Sequence, residues 1–256
     1  MITLDSMLDI KLYQHKSGYR FSADAVLLSS FVTIPRIKKI ADFGAGSGII
    51  GFLLAKKYLL AEVTLIELQE GLVKLAEKNA ALNGLEKRVK IVQADIKGLF
   101  SNGEARKIGN NLLHSYDLVV ANPPFRKTKT GLISPSDERA LARHEIHLPI
   151  EALMKSAFSL LLHHGRLCII HLPERLAEVM DTMRQHYLEP KRLRFVHSNE
   201  RSEAKMVLIE AVKEGKTGLK VERPLYLYKS DGIYTDEVRS IYGRDTLPII
   251  ESCDSL

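Results

Sequence analysis

From about Lys38 onward, short apolar runs rich in valine and isoleucine alternate with longer stretches of helical period. The strand candidates are residues 40–43, 63–67, 89–94, 117–121, 166–171, 193–197 and 206–212. Several lack strict polar–apolar alternation, as expected of strands covered on both faces. Between them, residues 69–82 set Leu72, Leu75, Ala76, Asn79 and Leu82 along one side, and Asn83-Gly84 supplies a stop. Residues 150–162 and 174–186 also read as helices, and residues 25–31 as a shorter one. This alternation predicts an α/β fold with a mostly parallel sheet and helices on both faces. The last two strands break the rhythm. Only the polar stretch 198–204 separates them, too short for a crossover helix, so they should be antiparallel neighbours.

Two extensions flank this core. Residues 1–35 precede the first strand and contain Gly18-Tyr19-Arg20-Phe21-Ser22-Ala23-Asp24-Ala25. Residues 214–256 follow the last strand. There Pro224-Leu225-Tyr226-Leu227-Tyr228, a Ser230-Asp231-Gly232 turn and Ile233-Tyr234 predict a short hairpin, and Thr235-Asp236-Glu237 a small helix. Neither extension holds enough apolar residues for a core of its own. The expectation is one domain over 1–256, with its core at 36–213.

Composition narrows the class of protein. Of the 256 residues, 45% are apolar and 27% charged, as in ordinary globular domains. No apolar run approaches the ~18–20 residues of a membrane span. The opening MITLDSMLDI lacks the basic and apolar regions of a signal peptide. Cys168 and Cys253 are the only two cysteines, which is neither a disulfide framework nor a zinc pattern. A reducing, cytoplasmic setting is expected. The net charge is +6. Basic residues gather at Arg126, Lys127, Lys129, Arg139 and Arg143, joined by His144 and His147, and again at Arg184, Lys191, Arg192, Arg194, Arg201 and Lys205. Such stretches serve either as solvated faces or as tracks for nucleic-acid phosphates.

The candidate chemistry sits where strands end. The first strand runs into Asp42-Phe43-Gly44-Ala45-Gly46-Ser47-Gly48, and Glu67 ends the second. Gln93-Ala94-Asp95 ends the third, followed by Ile96. Asn122-Pro123-Pro124-Phe125 ends the fourth. Glycines permit close backbone approach to a ligand. Gly46–Gly51 also fits the G-x-G-x-x-G pattern of dinucleotide sites, and the glycines alone do not decide. Glu67 suits a ribose diol in either case. Glu67 and Asp95 also suit simple capping of the helices that follow them.

The D-x-G-x-G-x-G form, the acids at Glu67 and Asp95 and the reversed last strand pair resemble class I methyltransferases, with a seven-stranded Rossmann-like sheet. That resemblance implies S-adenosylmethionine as cofactor, with Asp42, Gly44, Gly46, Ser47, Gly48, Glu67, Asp95, Ile96 and Asn122 around it. Asn122-Pro123-Pro124-Phe125 is similar to the N-P-P-[YF] motif of enzymes that methylate planar nitrogens: N6 of adenine, N2 of guanine, or the amide of glutamine. The lone pair of such a nitrogen is delocalised. Acceptors on its two hydrogens favour pyramidalisation and return the lone pair to nitrogen. Asn122 Oδ1 is one acceptor and the Pro123 carbonyl the other. The prolines stiffen the turn, and Phe125 offers a stacking face worth roughly 1–3 kcal/mol. This chemistry needs no metal and no strong general base.

The flanks narrow the resemblance further. Residues 18–28, Ala142-Arg143-His144-Glu145, residues 194–198 and 204–208, Pro224-Leu225 and residues 234–238 resemble the bacterial tRNA1(Val) adenine-37 N6-methyltransferases. The resemblance covers almost the whole chain. It implies tRNA as substrate, with Arg126, Lys127, Lys129, Arg143 and His144 touching RNA. Phe21, Ser22 and Asp24 would form a lid over the methionine end of the cofactor, though Asp24 suits helix capping equally well. Guanine-N2 methylation of RNA, glutamine methylation of a protein, and RNA binding without turnover stand as rival functions.

Overall fold

The computed structural model describes residues 2–15, 23–99, 109–123, 148–230 and 232–243. An antiparallel hairpin of β1 (Ile2–Met7) and β2 (Ile10–His15) comes first, and α1 (Ala23–Phe31) follows. Then come β3 (Lys39–Phe43), α2 (Ile49–Lys57), β4 (Glu62–Glu67), α3 (Glu70–Leu82) and β5 (Val89–Gln93). A 3-10 turn, Ile96–Gly98, precedes β6 (Tyr116–Ala121). The second half holds α4 (Ile150–Leu160), β7 (Leu161–His171), α5 (Leu176–Gln185), β8 (Leu188–His197) and β9 (Ala204–Lys213). Short strands β10 (Lys220–Val221), β11 (Leu225–Tyr226), β12 (Tyr228–Ser230) and β13 (Ile233–Tyr234) lead to α6 (Asp236–Ile241).

The main sheet runs β10-β8-β9-β7-β6-β3-β4-β5, with β11 also on β8. Strand β9 is antiparallel to both β7 and β8, while the other pairings are parallel. The expected antiparallel pair is therefore present, and β9 is wedged between β7 and β8. The sheet has nine strands instead of seven. The two additions come from the C-terminal extension, whose short segments satisfy the outer backbone groups of β8. This also alters the expected hairpin. Leu225–Tyr226 joins the main sheet beside Val196 and His197, and Tyr228–Ser230 pairs with Ile233–Tyr234. The third helix candidate splits, because Pro173 opens a 3-10 turn and the α-helix begins only at Leu176.

Side chains alternate across the strands into two cores. One holds Ile40, Val63, Leu65, Leu118, Val120, Cys168 and Ile170, covered by α1, α2 and α3. The other holds Ala41, Phe43, Ile66, Val119, Ala121, Leu167 and Ile169, covered by α4 and α5. Both extensions feed the first core: Ile10 and Leu12 from β2, Leu225, Val238 and Tyr242 from the C-terminal part. Each such apolar side chain contributes roughly 1.5–3 kcal/mol when buried.

Candidate active site

Parallel register brings four strand ends to one edge. Phe43 stands beside Ile66 on β4 and beside Ala121 on β6, and Glu67 stands beside Gln93. Gly44, Glu67, Asp95 and Asn122 thus follow neighbouring strands at their carboxyl ends. The chain leaves β3 toward β4 on one side and returns as β6 on the other. Ligands of open α/β sheets bind at such a reversal.

The loop after β3 is shaped by its glycines. Gly46 takes φ +56°, and a Cβ there would point into open space. Gly48 takes φ +94°, and a Cβ there would lie 2.4 Å from the Phe52 ring and 2.9 Å from Leu65. Gly48 therefore lets α2 start hard against β4. The Gly46 N–H donates to Glu67 Oε2 at 2.9 Å, and the Gln69 N–H donates to Oε1 at 2.9 Å. Two backbone amides hold the Glu67 carboxylate still, each leaving its oxygen further acceptor capacity. Glu67 serves both the loop and the entry to α3.

Asp42 points into the protein. Its Oδ2 accepts the Gly51 N–H at 2.9 Å, and Oδ1 has no hydrogen-bond partner among the described residues. Burial pushes this carboxyl up to about 7, against the pull of the Gly51 amide, and the nearby Glu67 charge adds to the rise. Asp95 Oδ1 accepts the Lys97 N–H at 2.9 Å and caps the 3-10 turn. Ile96 is buried, and its carbonyl accepts the Ser156 hydroxyl at 2.9 Å. At the fourth strand end Asn122 is half-buried and Pro123 buried. Gly44 is exposed, with open space where a Cβ would stand. An open glycine cradle, a pinned carboxylate and a capping aspartate fit the amino-acid, ribose and base portions of an adenosyl ligand.

Other expected residues fall elsewhere. Phe21, Ser22, Pro124, Phe125, Arg126, Lys127, Lys129, Arg143 and His144 lie outside the described residues. Asp24 lies in the first turn of α1. It is close enough to Tyr242 that its charge, added to burial, pushes that phenol up to about 12. The second basic stretch is largely consumed internally. Arg192 pairs with Glu210 at 2.7 Å and Arg194 with Glu237 at 2.8 Å. Arg184 lies 3.4 Å from Glu189, and Lys191 donates to the Lys216 carbonyl at 3.0 Å. A phosphate track made of these four side chains is not what the geometry offers.

Two residues near the site escaped the strand-end pattern. His171 ends β7 and is 1% exposed. Its Nδ1 accepts the Leu172 N–H at 2.8 Å. Burial, reinforced by Arg175, lowers its pKa to about 4. Asn79 on α3 is 0% exposed and donates to the Ser47 carbonyl at 3.0 Å. The available signals were a histidine closing an apolar strand and an amide inside an apolar helical stripe.

Comparison with known proteins adds independent information. Residues 21–187 match the family described as methyltransferase small domain. A tRNA1(Val) (adenine(37)-N6)-methyltransferase of Porphyromonas gingivalis is 34% identical over 197 residues, 75% of this chain and 73% of that protein. One from Tolumonas auensis is 27% identical over 228 residues, 88% of each chain. Among solved structures, a predicted O-methyltransferase from Agrobacterium tumefaciens superposes with TM-score 0.68 at 24% identity. That match covers 86% of this chain and 95% of that one.

Proposed function

The chain belongs to the methyltransferase small domain family, and from that premise we propose that it transfers a methyl group from S-adenosylmethionine to N6 of adenine 37 in a tRNA. The observation that carries the reading is the register of Phe43 with Ala121. It sets Asn122-Pro123 directly beside the glycine loop, so an acceptor pair for an amino group adjoins a site for an adenosyl ligand.

When bound, the cofactor supplies an electrophilic methyl on a sulfonium. The protein supplies placement. Gly44 and Gly46 leave room for the amino-acid portion, Glu67 accepts from the ribose hydroxyls, and Asp95 with Ile96 borders the adenine. Asn122 Oδ1 and the Pro123 carbonyl each accept one hydrogen of the target amino group. That returns the lone pair to nitrogen and aims it at the methyl. Reacting atoms at about 3–3.5 Å then need little further activation. One amino proton leaves after transfer, through an acceptor already in contact with it. Phe125 follows this pair in sequence and provides the stacking face.

An adenine in a folded tRNA must leave its stack to reach this pocket, at a cost of a few kcal/mol. Loop nucleotides are the cheapest to extrude. Arg126, Lys127, Lys129, Arg143 and His144 follow the motif in sequence and supply the phosphate contacts of this reading. The whole chain, 1–256, acts as one unit, with both extensions sharing the core of the catalytic sheet.

The deciding experiment is incubation of tRNA lacking the modification with the protein and S-adenosylmethionine, followed by nucleoside mass spectrometry. N6-methyladenosine at position 37 is the expected product. N2-methylguanosine, label in protein alone, or no product each contradict the reading.

A further inference from the structure

Asn79 divides its carboxamide between two distant segments. Its Oδ1 accepts the Tyr13 N–H at 2.7 Å. Its Nδ2 donates to the Tyr13 carbonyl at 3.2 Å and to the Ser47 carbonyl at 3.0 Å. One turn on, at the C-cap of α3, Asn83 repeats the hairpin half of this pattern. Its Oδ1 accepts the Lys11 N–H at 2.9 Å and its Nδ2 donates to the Lys11 carbonyl at 2.7 Å. The spacing explains the repetition. Four residues of helix rise about 6 Å, and two residues of strand advance about 6.6 Å. The two amides therefore imitate a neighbouring strand along β2. What distinguishes them is the remaining partner: Asn79 Nδ2 reaches the Ser47 carbonyl of the glycine loop, whereas Asn83 Nδ2 donates back to the Asn79 carbonyl at 2.7 Å.

Ser47 sits between Gly46, whose N–H donates to Glu67, and Gly48, which packs against Phe52. A loop with glycines at 44, 46 and 48 has many accessible conformations, and ordering it costs free energy unless the fold has already done so. Glu67 fixes the loop from the sheet side. Asn79 fixes it from the side of the N-terminal hairpin.

We propose that Asn79 is a positioning residue for the cofactor loop: through the Ser47 carbonyl it ties the glycine loop to β2 and makes the N-terminal hairpin part of the cofactor site. The inference rests on the cofactor reading given above. Without the tie, the loop spends part of its time in conformations that do not bind, and apparent affinity falls by that fraction.

Asn83 provides the control, since it clamps the same hairpin without reaching the loop. The test compares Asn79→Ala and Asn83→Ala in the full chain. Calorimetric titration with S-adenosylmethionine and S-adenosylhomocysteine is run beside urea denaturation. Both variants lose stability. Asn79→Ala weakens binding of both ligands about fivefold or more, and Asn83→Ala stays within about twofold of wild type. At saturating S-adenosylmethionine the Asn79 variant regains wild-type turnover, so its loss lies in KM for the cofactor. Equal affinity losses in the two variants, or none in Asn79→Ala, overturn the proposal. Should the alanine variant not fold, Asn79→Ser, a polar side chain too short to bridge Tyr13 and the Ser47 carbonyl, carries the same expectation. A wild-type protein that binds neither ligand overturns the cofactor reading and this inference together. Binding by wild type with both variants alike overturns this inference alone.

Discussion

Glu67 and Gly46, twenty-one residues apart, meet through a 2.9 Å hydrogen bond from the Gly46 amide to the end of β4. The bond joins the glycine loop to the residue proposed to hold the ribose. Glu67→Ala removes the ribose acceptor and the partner of Gly46 together. The expected result is at least about tenfold weaker binding of S-adenosylmethionine, with the fold retained. Calorimetric titration beside a circular-dichroism spectrum checks it. Unchanged affinity would remove Glu67 from the site.

Asn122→Ala separates binding from chemistry. The cofactor pocket keeps its glycine loop and Glu67, so the dissociation constant for S-adenosylmethionine should stay near wild type. Turnover should fall about 10²-fold or more, because one acceptor that orients the amino group is gone. Single-turnover transfer of labelled methyl to tRNA measures this. Full activity in the variant would place the chemistry elsewhere.

Asp42 makes stability depend on pH. Its carboxyl is raised from 3.8 to about 7 in the folded protein, chiefly by burial. A raised carboxyl contributes stability that is fully present below its unfolded value and is lost as pH rises through its folded value. The loss therefore runs from about pH 4 to about pH 7 and amounts to something on the order of 4 kcal/mol. Asp42→Asn cannot ionise and its Oδ1 still accepts from Gly51. Urea denaturation at pH 5 and pH 8 should show the variant gaining on wild type at the higher value. A constant difference between the two proteins would contradict the assignment.

His171 predicts the opposite arm. Its pKa is lowered from 6.5 to about 4, chiefly by burial and then by Arg175. A depressed histidine contributes stability that is present above its unfolded value and lost as pH falls toward its folded value. Wild type should lose on the order of 2 kcal/mol between pH 7 and pH 5 from this group. His171→Asn places an amide oxygen where Nδ1 accepts from Leu172, and should flatten that arm. Tm measured across this range decides it, and an unchanged slope in the variant would refute the role of His171.

The alternation of strands and helices was legible because buried parallel strands require continuous apolar runs. The glycine loop, Glu67, Asp95 and Asn122 were legible because each stands where such a run stops. Asn79 was not, since a lone amide in an apolar stripe does not reveal which carbonyl it meets. Nor did Arg184, Arg192 and Arg194 disclose that they pair with Glu189, Glu210 and Glu237, or Lys191 that it meets the Lys216 carbonyl. A charge count along a chain carries no partners.

The sequence by itself determined the α/β class, the succession of the long strands along the chain, the antiparallel pairing of the last two and the residues at the strands' carboxyl ends. These are local properties: periodicity, turn residues, and the chemistry of single side chains. Only the tertiary structure decided that β10 and β11 extend the sheet, that Asp42 turns inward to Gly51, and that Asn79 joins Tyr13 to Ser47. Each of these depends on which backbone groups remain unpaired once the sheet has formed. That choice is made by packing across long sequence separations, where no short pattern records it.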